Sequence, residues 1–377
     1  MKRKLLIAGA TLLVLSLLAV ACAPAPTPTP TPTPEEKIVL RISSGLNPLH
    51  IWDHDYQMPF ADRMEEAFPG RLEFERYHAA ELCTLGKELE CLKGGSIDVA
   101  APFTAPYHVG VFPLTDVTML PIQDTTSLSA ARAFKKLLYS DVPLKEGKTF
   151  YELEIVPRGL KVWPLGPTEP YRISTSGKRF DKAEDFAGVP IRAGARTHCV
   201  YLEELGVTTI SMKGMEIYEA ITRGTIEGAI YSIPDWESYG LTELYRYTIV
   251  GIGLGHWPSY LAMLETTWDK LPADIQAKWD EVALDMCEYS ARAWIAKGEP
   301  VMKENIEKYG GVFEDVRDLD PSVQEAMADA CVGTWKRWIE EEEAKGNPAL
   351  ACARLWAEYI VEEGGTLPEG VPEYLGL

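Results

Sequence analysis

Apolar runs alternate with amphipathic stretches along most of this chain, and the alternation is clearest between Asp181 and Trp236. Residues 189–193 predict a short buried strand, and 197–205 a helix closed by Gly206. A second strand is predicted at 207–210, a second helix at 215–223 closed by Gly224, and a third strand at 225–231. Glycine directly after a helix takes the left-handed conformation that other residues adopt at a cost, so both stops are well marked. Strands alternating with helices predict a parallel sheet, which places ligands beyond the carboxyl ends of its strands. Those ends carry Arg192 on one side and Tyr231, Ser232 and Trp236 on the other. An arginine beside aromatic residues is the outline of a carboxylate site.

The earlier part of the chain repeats this order. Strand patterns at 38–44, 72–77 and 97–101 enclose helices at 57–68 and 86–92. The last turns agree in detail: LKGGSIDVAA from Leu92 matches ITRGTIEGAI from Ile221 without a gap. The repeat predicts two α/β lobes of one plan, with a cleft between their strand ends, a favoured place for ligands. Phe103, Thr104 and Tyr107 hold the position in the first lobe that Tyr231, Ser232 and Trp236 hold in the second. His50 and the pair His256 and Trp257 lie in loops expected to face the cleft. Between the lobes a helix is predicted at 128–138 and strands at 152–162 and 171–175. Beyond Trp236 come a helix at 241–246 and strands at 247–254 and 261–266. From 272 onward the chain is helical, with Ile275, Trp279, Val282, Met286 and Tyr289 stepping by three or four along one buried face. Gly298 and Pro300 predict a kink or break there, and further helices occupy 300–309, 321–345 and 348–362. The tail from Gly364 is expected to lie extended on the surface.

Composition changes this picture at the N-terminus. Lys2, Arg3 and Lys4 precede an apolar run at 5–18 that ends in Ala19-Val20-Ala21-Cys22. The run is short for a membrane span and reads as a signal segment, 1–21. Cys22 after three small residues resembles a bacterial lipoprotein signal, in which that cysteine carries lipid; Ala19-x-Ala21 also suits ordinary signal cleavage. The next stretch, APAPTPTPTPTP, is an extended polyproline spacer of about 3 Å per residue, so residues 22–36 read as a tether. The net charge of −19 becomes −22 once Lys2, Arg3 and Lys4 are gone. That field opposes nucleic acid and anionic lipid surfaces, and an anionic ligand would need a local, well-placed arginine. Of 7 cysteines, the six beyond Cys22 form no C-x-x-C. They can pair outside the cytoplasm or stay as buried thiols; Cys83–Cys91 is the first expected bridge and Cys331–Cys352 the second.

Enzyme signatures are absent from the chain: it has no G-x-S-x-G, H-E-x-x-H or phosphate-binding G-x-x-x-x-G-K-[ST]. His50 and His54 are four apart, as one helix face requires of a metal pair, but Pro48 argues for a loop and a third spaced ligand is missing. Neither a cofactor nor a metal is expected.

AEDFAGVPIRAGA, ELGVTTISMKGMEIYEAITRGTIEGA and WDKLPADIQAKW resemble the solute-binding subunits of tripartite ATP-independent periplasmic (TRAP) transporters. FADRMEE, PGRLEFERY, GSIDVA and FPLTDVTMLP agree more loosely, and the resemblance covers about residues 38–310. It implies an α/β, two-lobed periplasmic-binding-protein-like clamshell (type II): mixed sheets flanked by helices, with a long helix spanning both lobes. Lobe I would take 37–160, lobe II 161–270, and a helical region 271–377 would pack across both. Such a protein captures a small organic acid and delivers it to membrane permease subunits driven by an ion gradient. The resemblance makes Arg192 the carboxylate anchor and Arg172 a second arginine that either contacts the ligand or pairs at the surface. Where the family pattern carries an acid that can help hold a metal ion, this chain has Ile230. The aromatic residues near the cleft lean toward an apolar or aromatic monocarboxylate. The rival readings are a binding lipoprotein of an ATP-driven importer and a secreted enzyme.

Overall fold

The computed structural model describes residues 37–377. The signal segment and Cys22 lie outside the described residues. From Ile38 onward the chain forms one compact unit of two lobes. The first lobe is built on β1 (Ile38–Ser43), β2 (Leu72–Tyr77), β3 (Val99–Phe103), β4 (Leu160–Pro164) and β10 (Tyr260–Leu264), in the order β2-β1-β3-β10-β4. The second is built on β5 (Tyr171–Thr175), β6 (Pro190–Ala193), β7 (Thr208–Ser211), β8 (Gly228–Ser232), β9 (Tyr247–Val250) and β11 (Val312–Asp315), in the order β11-β9-β5-β8-β6-β7.

The two sheets share one plan. Parallel β2-β1-β3 matches parallel β7-β6-β8, and in each an antiparallel strand contributed from across the crossover (β10 or β5) comes next. The registers coincide: Ser43 lies opposite Ala100 as Arg192 lies opposite Ala229. Thus the LKGGSIDVAA and ITRGTIEGAI repeat marks equivalent strands, β3 and β8.

Eleven helices are described, α1 (Met58–Ala67), α2 (Glu88–Lys93), α3 (Ser127–Leu138), α4 (Phe150–Glu154), α5 (Arg196–Glu204), α6 (Ile217–Thr222), α7 (Glu265–Trp268), α8 (Ala273–Tyr309), α9 (Pro321–Ala344), α10 (Ala349–Glu362) and α11 (Val371–Leu375). Helix α8 lies across both lobes. In lobe I its Trp279 packs on Phe60, and Tyr56 donates to its Ala283 carbonyl at 3.2 Å. In lobe II its Asn305 donates to the Thr242 and Tyr245 carbonyls at 2.6 and 3.0 Å. The crossover after β4 runs against it so closely that a Cβ on Gly166 would sit 2.4 Å from the Ala291 nitrogen. Helix α9 forms a second strap. Its Arg337 pairs with Glu203 of lobe II, while its Trp335 sits in the lobe I core and donates to the Pro121 carbonyl at 2.8 Å.

Several local expectations fail for identifiable reasons. No break occurs at Pro300: α8 is continuous over 37 residues, with buried Trp294 before it packed on His50 and Trp52 of lobe I and Asn305 after it bonded to lobe II. Of the strand expected at 152–162 only 160–162 are strand, the start of β4; what precedes them is the end of α4 and a short turn, since Thr149 caps a helix with Glu152 in a reciprocal box. Residues 241–246 are turns without a helix. The strand expected at 261–266 is β10, and it returns to the lobe I sheet. The tail is docked, not extended on the surface: Gln123 pairs with Thr366, and Val371 and Leu375 are buried. Cys83–Cys91 is bonded, but Cys331 and Cys352 are free, each buried in a different apolar core.

Trp335 is fully buried. Trp335→Ala is expected to cost about 3–5 kcal/mol, read as a shift of the urea unfolding midpoint; a cost below about 1 kcal/mol would show that α9 does not strap the lobes.

Candidate functional site

Side chains on a strand alternate between its two faces, and this decides which residues reach the cleft. On β8, Tyr231 lines the cavity between the lobes, while its neighbours Ile230 and Ser232 are wholly buried within lobe II. On β5, Tyr171 lines that cavity and Arg172 does not. The cavity wall comes from both lobes. His50, Trp52, Leu85, Thr104 and Tyr107 belong to the first, and Tyr231, Asp235 and Tyr239 to the second; Thr168, Tyr171 and Trp257 come from the two crossovers and β5. Ring contacts are continuous around it: Tyr107 to Trp257 at 4.8 Å, Tyr171 to Tyr231 at 5.5 Å, Tyr231 to Tyr239 at 5.6 Å and His50 to Trp52 at 5.3 Å. Only about 20 Å³ remains between them, near the size of one water and too little for an organic ligand in this closed arrangement. Four contacts cross the mouth. Asn47 donates to the Ser238 carbonyl at 2.8 Å, Lys213 to the Leu85 carbonyl at 2.8 Å, and Gly214 N–H to the Tyr107 hydroxyl at 3.4 Å; His50 pairs with Asp235 at 3.0 Å.

Arg192 lies near the end of β6 beneath this wall and is fully buried. Its Nε donates to the Met212 carbonyl at 2.9 Å and Nη1 to the Ile230 carbonyl at 3.3 Å. Nη2 has no partner among the described residues. The guanidinium carbon lies 5.1 Å from the centroid of the Tyr231 ring, so Arg192 adjoins the cavity through Tyr231 without lining it. A Cβ at Gly194 would sit 2.5 Å from Nη2, so a side chain there would displace the guanidinium. The histidine and tyrosines around it are kept uncharged. His198, stacked on Tyr171, is pushed down to about 3 by burial, assisted by the charge of Arg192. Burial also raises the hydroxyls of Tyr171 and Tyr231 well above the ordinary tyrosine value. Burial pushes the Asp235 carboxyl up, opposed by the His50 hydrogen bond and by nearby charge from His50, Lys297 and Arg192.

Of the expected site residues, His50, Thr104, Tyr107, Tyr231 and Trp257 meet in the cavity, with Arg192 against it. Phe103 is turned into the lobe I core between His108 and Phe112, and Trp236 into the lobe II core against Tyr245 and Phe313. His256 is buried in the crossover, with Nδ1 2.7 Å from the Thr168 carbonyl and Nε2 2.9 Å from Thr125 Oγ1. Arg172 lines a separate cavity of about 370 Å³ with Gln123, Asp124, Pro170, Gly253 and Arg317. That cavity is the larger, yet Asp124 lines it, and Arg317 is engaged by Asp315. Burial lowers Arg172 to about 10, against the charges of Glu169 and Asp315. Trp52, Tyr171, Asp235 and Tyr239 were not singled out from sequence; the period of two on β5 would have exposed Tyr171, and nothing local marks the other three.

Two α/β lobes closing on an aromatic cavity beside a buried arginine define a solute-binding protein. Residues 42–342 match the family model described as bacterial extracellular solute-binding protein, family 7, and the chain belongs to that family, the substrate-binding subunits of TRAP transporters. A solute-binding protein of Albidiferax ferrireducens is 23% identical over 320 residues, 84% of this chain and 83% of that protein. Among solved structures, a marine metagenome TRAP solute-binding protein specific for aromatic acid ligands, in complex with metahydroxyphenylacetate, superposes with a TM-score of 0.76 at 19% identity, covering 87% of this chain and 100% of that one. One from Rhodoferax ferrireducens, in complex with benzoate, gives 0.73 at 20% identity, covering 87% and 98%. These proteins act outside the cytoplasm, and among the described residues no helix is long and apolar enough to cross a membrane.

His256 sets a pH dependence. Burial lowers it to about 4 from the ordinary 6.5, so the folded chain binds fewer protons than the unfolded one in this window. Its stabilising contribution, about 3 kcal/mol, is present above pH 6.5 and lost as pH falls toward 4. The difference in unfolding free energy between the native protein and His256→Gln should therefore shrink steadily from about pH 7 to about pH 4.5. A difference that stays constant over that range would mean His256 is not held neutral.

Proposed function

We propose that this chain is an extracytoplasmic binding lipoprotein that captures a small aromatic or otherwise apolar monocarboxylate and hands it to TRAP permease subunits. The observation that carries the reading is Arg192: a desolvated guanidinium with an unpartnered Nη2, set against a wall of aromatic rings. A guanidinium meets a carboxylate bidentately, and each such bond is stronger in a dry site than in water. Aromatic acids bound by structural neighbours support the same ligand class. Closure would follow from tighter binding to the closed than to the open arrangement.

Arg192→Met should weaken binding of the best acid by about 30-fold or more in calorimetric titration, since breaking a buried charged pair costs about 2–5 kcal/mol. Affinity retained within about threefold removes the anchor role. Arg172→Met, in the other cavity, should leave that affinity within about threefold.

Lipidation at Cys22 and the Pro/Thr-rich tether of 22–36 belong to the same proposal. Cys22→Ser expressed in a bacterium should move the protein from the membrane fraction to the soluble extracytoplasmic fraction; an unchanged membrane fraction would rule out the anchor.

A further inference from the structure

The cavity holds a second charged group that a carboxylate anchor does not account for. Asp235 ends the short turn Ile233–Asp235 after β8, lines the same cavity as Tyr231, and is 2% exposed. Its Oδ1 lies 3.0 Å from His50 Nε2. His50 Nδ1 accepts the Trp52 N–H at 3.2 Å, which puts the ring proton on Nε2 and makes His50 the donor to Asp235. Among the described residues no other side chain is hydrogen-bonded to this carboxylate, and the residue that carries it lines the cavity. Buried carboxylate oxygens need donors, and an ionised carboxylate only accepts. Arg192 gives its bonds to the Met212 and Ile230 carbonyls and none to Asp235. Tyr231, which the Arg192 guanidinium faces at 5.1 Å, lines the cavity together with Asp235, Tyr171 and Trp257.

We propose that Asp235, oriented by His50, is the specificity-determining residue of this site: it accepts a hydrogen bond from a hydroxyl on the ring of the bound monocarboxylate and rejects acids that bring a second carboxylate to that end. This rests on Arg192 binding the carboxylate. The ligand then lies with its acid toward lobe II's arginine and its hydroxyl toward the His50–Asp235 pair. Because His50 comes from lobe I and Asp235 from lobe II, the reading group is completed only as the lobes meet. A hydroxyl that satisfies a buried acceptor discriminates strongly against the ligand lacking it, since the acceptor is otherwise left unpaired.

The test is calorimetric titration of the purified chain with benzoate, 3- and 4-hydroxybenzoate, 3- and 4-methoxybenzoate and isophthalate. At least one hydroxybenzoate should bind about tenfold or more tightly than benzoate, its methoxy counterpart should lose that advantage, and isophthalate should bind at least about tenfold more weakly than benzoate. In Asp235→Ala the hydroxyl advantage should fall to within about threefold. Asp235→Asn, of nearly equal size, should recover isophthalate binding relative to benzoate. Equal native affinity for plain and hydroxylated acids overturns the proposal. So does an Asp235→Ala variant that loses benzoate and hydroxybenzoate by the same factor, which would make the pair a latch between lobes. If Arg192→Met still abolishes binding in those cases, the carboxylate anchor survives and only the role of Asp235 falls. If none of these acids binds the native chain, both readings fall.

Discussion

The burial of one guanidinium governs the architecture of the second lobe. Arg192 has been taken out of water without a carboxylate among its partners: two backbone carbonyls and the face of Tyr231 are what it receives. Burying a charge is costly unless it is paired and hydrogen-bonded, so every neighbouring feature is arranged to tolerate it. Gly194 leaves room for Nη2. His198 is held neutral beside it, and tyrosines surround it. In the proposed function the remaining cost would be relieved by the ligand's carboxylate, which would let a protein of strongly negative net charge hold an acid at one point.

The duplicated sheet plan explains where that point lies. Equivalent strands put Ser43 and Arg192 at the same register in the two lobes, yet only the second carries charge. Lobe I contributes the aromatic and polar lid instead: His50, Trp52 and Tyr107. One lobe therefore supplies the buried guanidinium and the other much of the enclosing wall. The crossovers from β4 to β5 and from β9 to β10 join the lobes behind the cavity, and α8 and α9 run across both. The crossover residues are correspondingly well tied: His256 is bonded to Thr168 and Thr125, and Gly166 lies hard against α8.

Much of this was legible without coordinates. The glycine stops, the strand–helix order and the matching turns located most elements and the duplication, because helix and strand periodicity are local properties of the chain. Arg192 stood out as an arginine at a strand end opposite aromatic residues, in the segment where the resemblance to the family is most specific. Ile230 also stood out, as an apolar residue where the resembling family can carry an acid.

What failed was orientation and pairing at a distance. Ser232 and Tyr231 are adjacent, but only one can face the cavity; Arg172 stands one position from Tyr171 and opens onto a different space. Trp236 and Phe103 are aromatic in the right region and are spent on the cores. Cys331 and Cys352 lie on neighbouring helices that face different cores. His50 and Asp235 are far apart in the chain, and nothing near either announces the other. The sequence by itself determined most elements, the two-lobed plan and the candidate arginine at the end of β6, since each is written in spacing and residue type within a short window. The tertiary structure alone decided which faces close on the ligand, because that depends on how two separately built sheets are brought together across the crossovers.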